Sequence, residues 1–407
     1  MEYSIGTLVL IPAVAVAAPL LVQVVRRWVA VPLVVFEIVL GLLLGPAMLG
    51  WIVPDDLATF FADFGLAMLF FLAGNEIDFG TIRGRPLRRA AIGWIISLAA
   101  GIGLAALIAP HLAAAAFVGI ALTSTALGTI MPVLRDSGDL KTPFGVAVIA
   151  LGAVGEFGPL LAISLFLSGR QPLTAALVLV AFALVTGLAI WLAAKGAGRR
   201  MHRIIAATMH TSSQFGIRLV VLVLVSLVGL SVVLDLDMLL GAFTAGVLYR
   251  LLLSGAPEHD RVLVEGKIEA LGYGFLVPIF FIYTGVTFDL GALVADGRTL
   301  ALLPIALLGL LVCRGLPSVL AAPPGSTRRD LAATALFGAT GLPIIVAVTA
   351  IGVDAGDITS GTAAALVGAG MLSVLLFPLI AITLRKRGSK DAPDQRPDDV
   401  ASVQMEE

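Results

Sequence analysis

Long apolar stretches separated by short polar segments fill the chain from its start to about residue 385. A membrane-spanning helix needs about 20 apolar residues to cross about 30 Å of hydrocarbon. About thirteen stretches meet this length, and several are short or interrupted by Gly or Pro. They cover roughly residues 4–25, 30–50, 57–77, 87–108, 111–134, 143–168, 172–195, 214–235, 237–254, 267–287, 299–321, 330–352 and 361–384. The pattern predicts an all-α polytopic membrane protein.

Basic residues alternate with these spans. Lys and Arg follow the odd-numbered spans, and the densest group lies between residues 83 and 89 after span 3. The other loops carry acidic residues and, of basic ones, only Arg170 and Arg298. Cytoplasmic loops are enriched in Lys and Arg. The alternation therefore predicts a multi-pass plasma-membrane protein with its N-terminus outside and its C-terminus in the cytoplasm.

The composition excludes several other classes of protein. The chain is 59% hydrophobic and 13% charged, whereas soluble domains carry about 25% charged residues. A net charge of -1 gives no basis for nucleic-acid binding. Cys313 is the single cysteine and the four histidines are scattered, so neither a disulfide nor a clustered metal site is expected. We see no Ser/His pair or other catalytic cluster, and expect neither an enzyme nor a cofactor.

Two parts of the sequence echo each other. Phe70–Gly80 in span 3 resembles Phe280–Gly291 in span 10, and Ala121–Ile130 in span 5 resembles Ala335–Ile344 in span 12. Each echo is displaced by seven spans, and an odd displacement places the copies in opposite orientations. The echoes therefore predict inverted repeats, a design typical of secondary transporters whose sites lie at mid-membrane on broken helices.

Spans 5 and 12 each contain hydroxyl residues and helix-weakening residues at mid-length. Span 5 carries three consecutive hydroxyls: Thr123, Ser124 and Thr125. Span 12 carries Thr340 within Gly338–Pro343. Gly and Pro weaken the helical ladder, and the freed carbonyls and hydroxyls supply oxygen ligands. The pattern predicts two discontinuous helices that bind a cation; the alternative is back-bonding hydroxyls on a small-residue packing face.

Ionisable residues inside spans usually mark function. Glu156 lies at the middle of span 6, within Gly152–Pro159. Burial favours the neutral form of a carboxyl group, so Glu156 can bind a proton near neutral pH or a competing monovalent cation; the alternative is a structural role. Arg314 in span 11 is its candidate charge partner, with either a structural role or that of a displaced counter-charge. Glu76, at the end of span 3, is a possible accessory residue, although its place near the interface favours solvation or loop pairing.

Several motifs resemble one transporter family. They are Glu37-Ile-Val-Leu-Gly41-Leu-Leu-Leu-Gly45-Pro46, Phe71-Leu-Ala-Gly74-Asn-Glu76-Ile-Asp78, Ala121-Leu-Thr-Ser-Thr125-Ala, Leu240-Gly241-Ala-Phe-Thr-Ala-Gly246, and Pro278 through Gly285 to Asp289. In this order they resemble the monovalent cation:proton antiporters, the branch that includes bacterial sodium/proton exchangers and glutathione-gated potassium efflux systems. The resemblance implies that the two broken helices cross, with Arg314 where the family has a basic residue.

The resemblance also implies a homodimer in which a core moves like an elevator against a scaffold. The expected segments are 1–86 (scaffold and dimerisation), 87–168 (first half of the core), 169–213 (linker helix and interfacial segment), 214–297 (scaffold and dimerisation), 298–386 (second half of the core) and 387–407 (disordered cytoplasmic tail). We expect no nucleotide-binding regulatory domain, since none is present in the 407 residues. This mildly disfavours a gated potassium efflux system.

One departure from the family affects the choice of ion. Members carry Asp-Asp, Asn-Asp or Gln-Asp in span 6, where this chain reads Ala153-Val-Gly-Glu156. Glu156 takes the place of the aspartate, or stands two residues away if Pro159 anchors the alignment. A single carboxylate predicts electroneutral exchange of one H+ for one monovalent cation. Na+ is the favoured cation, and K+ is the alternative. A more distant alternative is an organic-anion symporter of similar fold, which Glu156 disfavours.

Overall fold

The structure is a computed structural model that describes residues 5–25, 32–167, 171–192, 214–253 and 258–390. Every regular element in these ranges is helical. The predicted all-α fold class is therefore confirmed.

The first half of the described chain forms eight helices and one short turn at Phe79–Ile82. The helices are α1 (Ile5–Val25), α2 (Leu33–Leu44), α3 (Asp56–Glu76), α4 (Arg85–Ala106), α5 (Leu112–Ala121), α6 (Leu127–Asp136), α7 (Pro143–Phe166) and α8 (Pro172–Leu192). Polar caps fix where several begin, because a side-chain oxygen satisfies a free N–H in the first turn. Asp55 accepts from the Ala58 N–H at 2.8 Å before α3, and Thr142 accepts from the Gly145 N–H at 3.1 Å before α7.

The second half forms eight further helices and a short turn at Leu290–Val294. The helices are α9 (Phe215–Val233), α10 (Met238–Leu253), α11 (Glu258–Leu271), α12 (Val277–Val286), α13 (Gly297–Ala321), α14 (Arg328–Gly338), α15 (Pro343–Asp354) and α16 (Ser360–Lys390). A π-helical turn, Gly272–Leu276, joins α11 to α12, and a second, Leu310–Gly315, lies inside α13. Such turns often occur at functional sites.

The helices agree with the predicted spans. Among the described residues, nine helices are long and apolar enough to cross a membrane. Shorter apolar helices are Leu33–Leu44, Leu112–Ala121, Leu173–Ala189 and Met238–Leu252. Every predicted span overlaps at least one of these helices. The multi-pass membrane architecture is confirmed, and the number of crossings stays a prediction.

Some predicted segments fall outside the described residues. The interfacial part of the linker lies outside them almost entirely, because residues 193–213 are not described. Residues 391–407 of the predicted tail also lie outside. The expected start of that tail at residue 387 is too early, since α16 continues to Lys390. Lys and Arg are good helix formers, so the basic sequence after residue 384 can prolong the helix.

The helices pack in two groups. The first bundle consists of α1, α2, α3 and α9 to α12, and the second bundle of α4 to α7 and α13 to α16. Helix α8 contacts both α7 and α10. The two bundles meet mainly where α3 contacts α6, α10 contacts α7, and α2 contacts α16. Movement of one bundle against the other stays a prediction.

Glycines set the helix spacing in the first bundle. A Cβ at Gly246 would overlap the Phe71 carbonyl oxygen, and one at Gly74 would overlap that of Phe243. Helices α3 and α10 therefore touch through their backbones. Helices in lipid are not driven together by the hydrophobic effect, so their association depends on close packing. Small residues such as glycine permit that close packing.

A single arginine joins three elements at one end of the second bundle. Arg385 in α16 donates to Asp139 after α6 at 2.8 Å and to Asp330 in α14 at 2.6 Å. Its guanidinium also lies 3.6 Å from the centre of the Phe144 ring in α7. The outer ends of α6 and α14 are therefore fixed relative to each other.

Candidate functional site

The first interruption separates α5 from α6. Helix α5 ends at Ala121, and α6 begins at Leu127. The Thr123 hydroxyl donates to the Ile120 carbonyl at 2.8 Å, and the Ser124 hydroxyl donates to the Ala121 carbonyl at 3.0 Å. These two residues and Thr125 are at most 1% exposed. The hydroxyls therefore satisfy carbonyls that the interruption frees, and their oxygen lone pairs stay available.

The second interruption separates α14 from α15. Helix α14 ends at Gly338, and α15 begins at Pro343, which has no N–H to leave unsatisfied. The Thr340 hydroxyl donates to the Leu336 carbonyl at 2.9 Å. Ser373 in α16 accepts from the Gly341 N–H at 3.1 Å. A third helix thus satisfies the backbone that this break exposes.

The two interruptions touch each other. The Ala126 N–H donates to the Thr340 carbonyl at 2.7 Å, and the Thr125 hydroxyl donates to the Gly338 carbonyl at 2.6 Å. The predicted pair of crossing discontinuous helices is therefore confirmed. Backbone from both interruptions meets inside the second bundle, where the ends of four half-helices provide partial charges of both signs.

Glu156 lies beside the first interruption. Its Oε1 accepts from the Leu127 N–H at 2.8 Å, at the N-terminus of α6. The residue is 5% exposed, and its Oε2 has no hydrogen-bond partner among the described residues. A helix N-terminus favours a negative group, because its first N–H groups are unpaired and its dipole is positive there. One carboxyl oxygen is thus fixed, and the other is available.

Arg314 contacts the crossing through Thr125. It is fully buried in the π-helical turn of α13. Its Nε donates to the Thr125 hydroxyl at 2.8 Å, and its Nη2 donates to the Leu151 carbonyl at 2.9 Å. A Cβ at Gly155 would lie 2.8 Å from Nη2. The guanidinium therefore lies directly against the backbone of α7.

The expected ion pair between Arg314 and Glu156 is wrong in its direct form. Among the described residues, Arg314 Nη1 and Glu156 Oε2 each lack a hydrogen-bond partner, and no salt bridge joins the two side chains. The physical reason is that Thr125 and the Leu151 carbonyl hold the guanidinium through Nε and Nη2, while the N-terminus of α6 holds the carboxyl group through Oε1. Neutral groups solvate both charges in place of a direct pair.

Thr125 connects the parts of this network. Its N–H donates to the Gly155 carbonyl at 3.0 Å. Its hydroxyl accepts from Arg314 and donates to Gly338. One threonine therefore joins the first interruption to α7, α13 and α14. The sequence does not reveal this role, because backbone carbonyls are its main partners.

Glu76 faces the site from the first bundle. It is the last residue of α3, and its Oε1 accepts from the Tyr273 hydroxyl at 3.2 Å. Its Oε2 is buried without a partner among the described residues. Glu76 also lies close enough to Glu156 for an electrostatic interaction. Glu76 is half-buried, and Tyr273 on the neighbouring π-helical turn is its hydrogen-bond partner. Its accessory role stays a prediction.

Tyr273 is a site residue that sequence reasoning missed. It lies on the π-helical turn between α11 and α12 and interacts electrostatically with both Glu76 and Glu156. A Cβ at Gly128 would lie 3.7 Å from its hydroxyl oxygen, so Tyr273 adjoins the start of α6. The available signal was the glycine pair around it, Gly272 and Gly274, which permits the widened turn.

Similarity to known proteins covers most of the chain. Residues 13–385 match the family described as Sodium/hydrogen exchanger, transmembrane. YjbQ of Bacillus subtilis (strain 168) is 27% identical over 417 residues, which cover 97% of this chain and 65% of YjbQ. The chain thus spans less than two thirds of that relative. GerN of Bacillus cereus, named as an Na(+)/H(+)-K(+) antiporter, is 25% identical over 63% of this chain and 66% of GerN.

The fold resembles a solved structure. It is that of the sodium proton antiporter MjNhaP1 from Methanocaldococcus jannaschii at pH 8. The likeness has a TM-score of 0.64 at 16% identity and covers 94% of this chain and 96% of the other. At this identity the likeness concerns the fold alone.

Proposed function

Because the chain belongs to the sodium/hydrogen exchanger family of membrane transporters, we propose that it exchanges a monovalent cation for protons at a site centred on Glu156. One observation carries the proposal. A buried carboxyl group is held at the crossing by one oxygen, at the N-terminus of α6, and its other oxygen is unpaired.

The chemistry of exchange follows from the cost of a buried charge. An isolated ionised carboxylate inside the membrane is very unfavourable. Either a proton or a bound cation removes this cost at Glu156, and each excludes the other from Oε2. Competition for one oxygen couples the inward flow of one ion to the outward flow of the other when the site changes sides only in its neutralised, loaded form.

The crossing offers further oxygen ligands for a cation. Candidate hydroxyl ligands are Thr123, Ser124, Thr125 and Thr340, each of which donates its proton to a backbone carbonyl. A hydroxyl that donates in this way can present its lone pairs to a cation, although one lone pair of Thr125 already accepts from Arg314. Hard cations prefer such oxygen ligands.

Arg314 acts in this proposal by holding the site together. It binds Thr125 and the carbonyl of Leu151, one turn before Gly155 and Glu156. Its charge also limits the net negative charge near the crossing when Glu156 is ionised. The geometry favours this structural role over a counter-charge that the substrate displaces.

Glu76 is the accessory residue of the proposal. Its unpaired Oε2 belongs to the first bundle, whereas Glu156 belongs to the second. Two carboxylates that repel each other favour a shared cation or proton between them. Movement of the second bundle would separate the two carboxylates. The cation would then have different surroundings before and after the movement.

Na+ is the favoured cation and K+ is the alternative, which the name of GerN supports because it includes both ions. One proton or one monovalent cation per Glu156 gives electroneutral exchange. The proposal has three further parts. The second bundle moves like an elevator, the protein assembles as a homodimer, and it lies in the plasma membrane with its C-terminus inside. The two-bundle packing supports the movement, the distribution of basic loops supports the orientation, and the homodimer rests on the family resemblance.

Purified protein in proteoliposomes tests the function. A pH-sensitive dye inside the vesicles should report proton movement when Na+, K+ or Li+ is added outside. We expect a response to Na+ that does not change when valinomycin and K+ set the membrane potential. No response to any of the three ions would contradict antiport, and a strong dependence on potential would contradict electroneutrality.

A further inference from the structure

A cavity of about 460 Å³ lies outside the ion site, at the end of the second bundle where α4 begins and α13 ends. Arg89 and Ile92 of α4 line one wall, and Val319 and Leu320 of α13 line another. The loop before α14 contributes Ser326. The basic loops place this end at the cytoplasmic face, which is part of the proposal above.

The outer end of the cavity is cationic. Arg89 forms one long hydrogen bond among the described residues, from Nη1 to the Ala322 carbonyl at 3.3 Å. A guanidinium has five N–H donors, so most of them are available to an anion. Arg85, Arg88 and Arg328 are exposed nearby on α4 and α14. The adjacent carboxylate, Asp330, is already paired with Arg385 and does not neutralise Arg89.

Beyond the inner end of the cavity, exposed apolar side chains continue along α4 and α13 towards the middle of the membrane, and the strip between them is called the groove. Ile92 is 48% exposed and Leu320 is 46% exposed, and Ile96 and Leu316, one turn deeper on the same helices, are 45% and 60% exposed. The floor is formed where α4 and α13 touch, since a Cβ at Gly93 would lie 2.8 Å from the Pro317 carbonyl oxygen. Two ridges of apolar side chains therefore border a shallow channel.

We propose that this groove binds one anionic phospholipid, with its phosphate at Arg89 and an acyl chain between the ridges of α4 and α13. A cation at interfacial depth attached to an apolar channel matches the two chemical parts of such a lipid. A free phosphate would use only the outer end. An apolar peptide would leave the donors of Arg89 unpaired.

The bound lipid would move with the ion site. Helix α13 carries both the ridge residue Leu316 and Arg314, and the loop at Ser326 leads directly into broken helix α14. Lipid binding thus contacts the second bundle at two elements that hold the crossing. The inference concerns binding and does not require that the proposed exchange be correct.

Native mass spectrometry of the full chain in detergent tests the site. Phosphatidylglycerol and phosphatidylcholine are added to the wild type, to Arg89→Gln and to the matched control Arg298→Gln, whose arginine is exposed at the other end of α13. We expect phosphatidylglycerol to bind the wild type more tightly than phosphatidylcholine. Loss of one interfacial arginine should weaken its binding about fivefold, and the control should not.

Three results would overturn the inference. They are equal binding of the two lipids by the wild type, unchanged phosphatidylglycerol binding by Arg89→Gln, and equal loss in Arg298→Gln. Thermal stabilisation by inorganic phosphate as large as that by phosphatidylglycerol would also overturn it, since it would indicate a free-anion site. If Arg89→Gln does not fold, Arg89→Lys replaces it, because lysine cannot form the bidentate phosphate contact and should also weaken binding.

Discussion

In the first bundle, α3 and α10 touch through their backbones at Gly74 and Gly246, and side chains contribute mainly apolar packing. In the second bundle, two helices are interrupted, and hydroxyls, carbonyls, one arginine and one carboxylate meet at their crossing. Each bundle also buries a glutamate. Glu37 in α2 is 2% exposed and Glu156 in α7 is 5% exposed.

The two glutamates are similarly buried but have different surroundings, and the proposal assigns ion binding to Glu156 because of those surroundings. Glu37 lies within α2, whose backbone is uninterrupted from Leu33 to Leu44, and the described residues offer its side chain no half-helix N-terminus like that beside Glu156. Glu156 lies against the free N-terminus of a half-helix and close to a second carboxylate. Freed backbone groups, rather than depth, supply the ligands that a dehydrated cation needs.

Glu156→Gln should have the largest effect of the variants considered, which is the loss of cation-driven proton movement. The amide oxygen can still accept from the Leu127 N–H, but it cannot exchange a proton for a cation. Proton movement in everted vesicles should fall to the background of vesicles without the protein. The matched variant Glu37→Gln should stay within about twofold of the wild-type rate. Normal exchange by Glu156→Gln would show that the site is elsewhere, and loss of exchange in both variants would remove the distinction between the bundles.

Arg314→Ala should mainly destabilise the second bundle. It removes hydrogen bonds to Thr125 and the Leu151 carbonyl, and each bond to a charged group is worth about 1.5–3 kcal/mol. The melting temperature of the purified protein in detergent should fall clearly, and Arg298→Ala, at an exposed position, should leave it unchanged. A wild-type melting temperature for Arg314→Ala would contradict the role given to this network.

Gly246→Ala should destabilise the first bundle without altering the site. The added methyl group overlaps the Phe71 carbonyl oxygen, and overpacking typically costs about 1–3 kcal/mol. Gly229→Ala in α9 is the matched control, because nothing lies within 4 Å of its Cβ position. Thermal unfolding compares the two. Equal stability would mean that the close contact between α3 and α10 is not needed.

Arg385→Ala should have the smallest effect, which is a small loss of stability. Its side chain is 20% exposed, so solvent weakens its pairs with Asp139 and Asp330. We expect the free energy of unfolding to fall by about 1 kcal/mol, including the lost contact with the Phe144 ring. Arg83→Ala, an exposed arginine near the same face, is the control. A loss of unfolding free energy as large as that of Arg314→Ala would mean that the ends of α6 and α14 contribute as much to stability as their crossing.

The sequence predicts much of the fold because a membrane-spanning helix can be recognised from the length of its apolar stretch. Apolar length locates the spans, and Gly, Pro and hydroxyl residues locate both interruptions. The failures are instructive. The partners of Arg314 are a hydroxyl and a carbonyl instead of Glu156, and backbone carbonyls carry no residue-specific signal. Tyr273 was missed because its position depends on a π-helical turn, which arises from packing between distant segments.

Cation binding to the purified protein tests the central account most directly. Na+ is titrated into weakly buffered protein in detergent, and released protons are counted with a pH indicator for the wild type and Glu156→Gln. The account predicts about one proton released for each Na+ bound by the wild type, and no release by Glu156→Gln. Saturable Na+ binding by the wild type without proton release, or the same release from the variant, would contradict it.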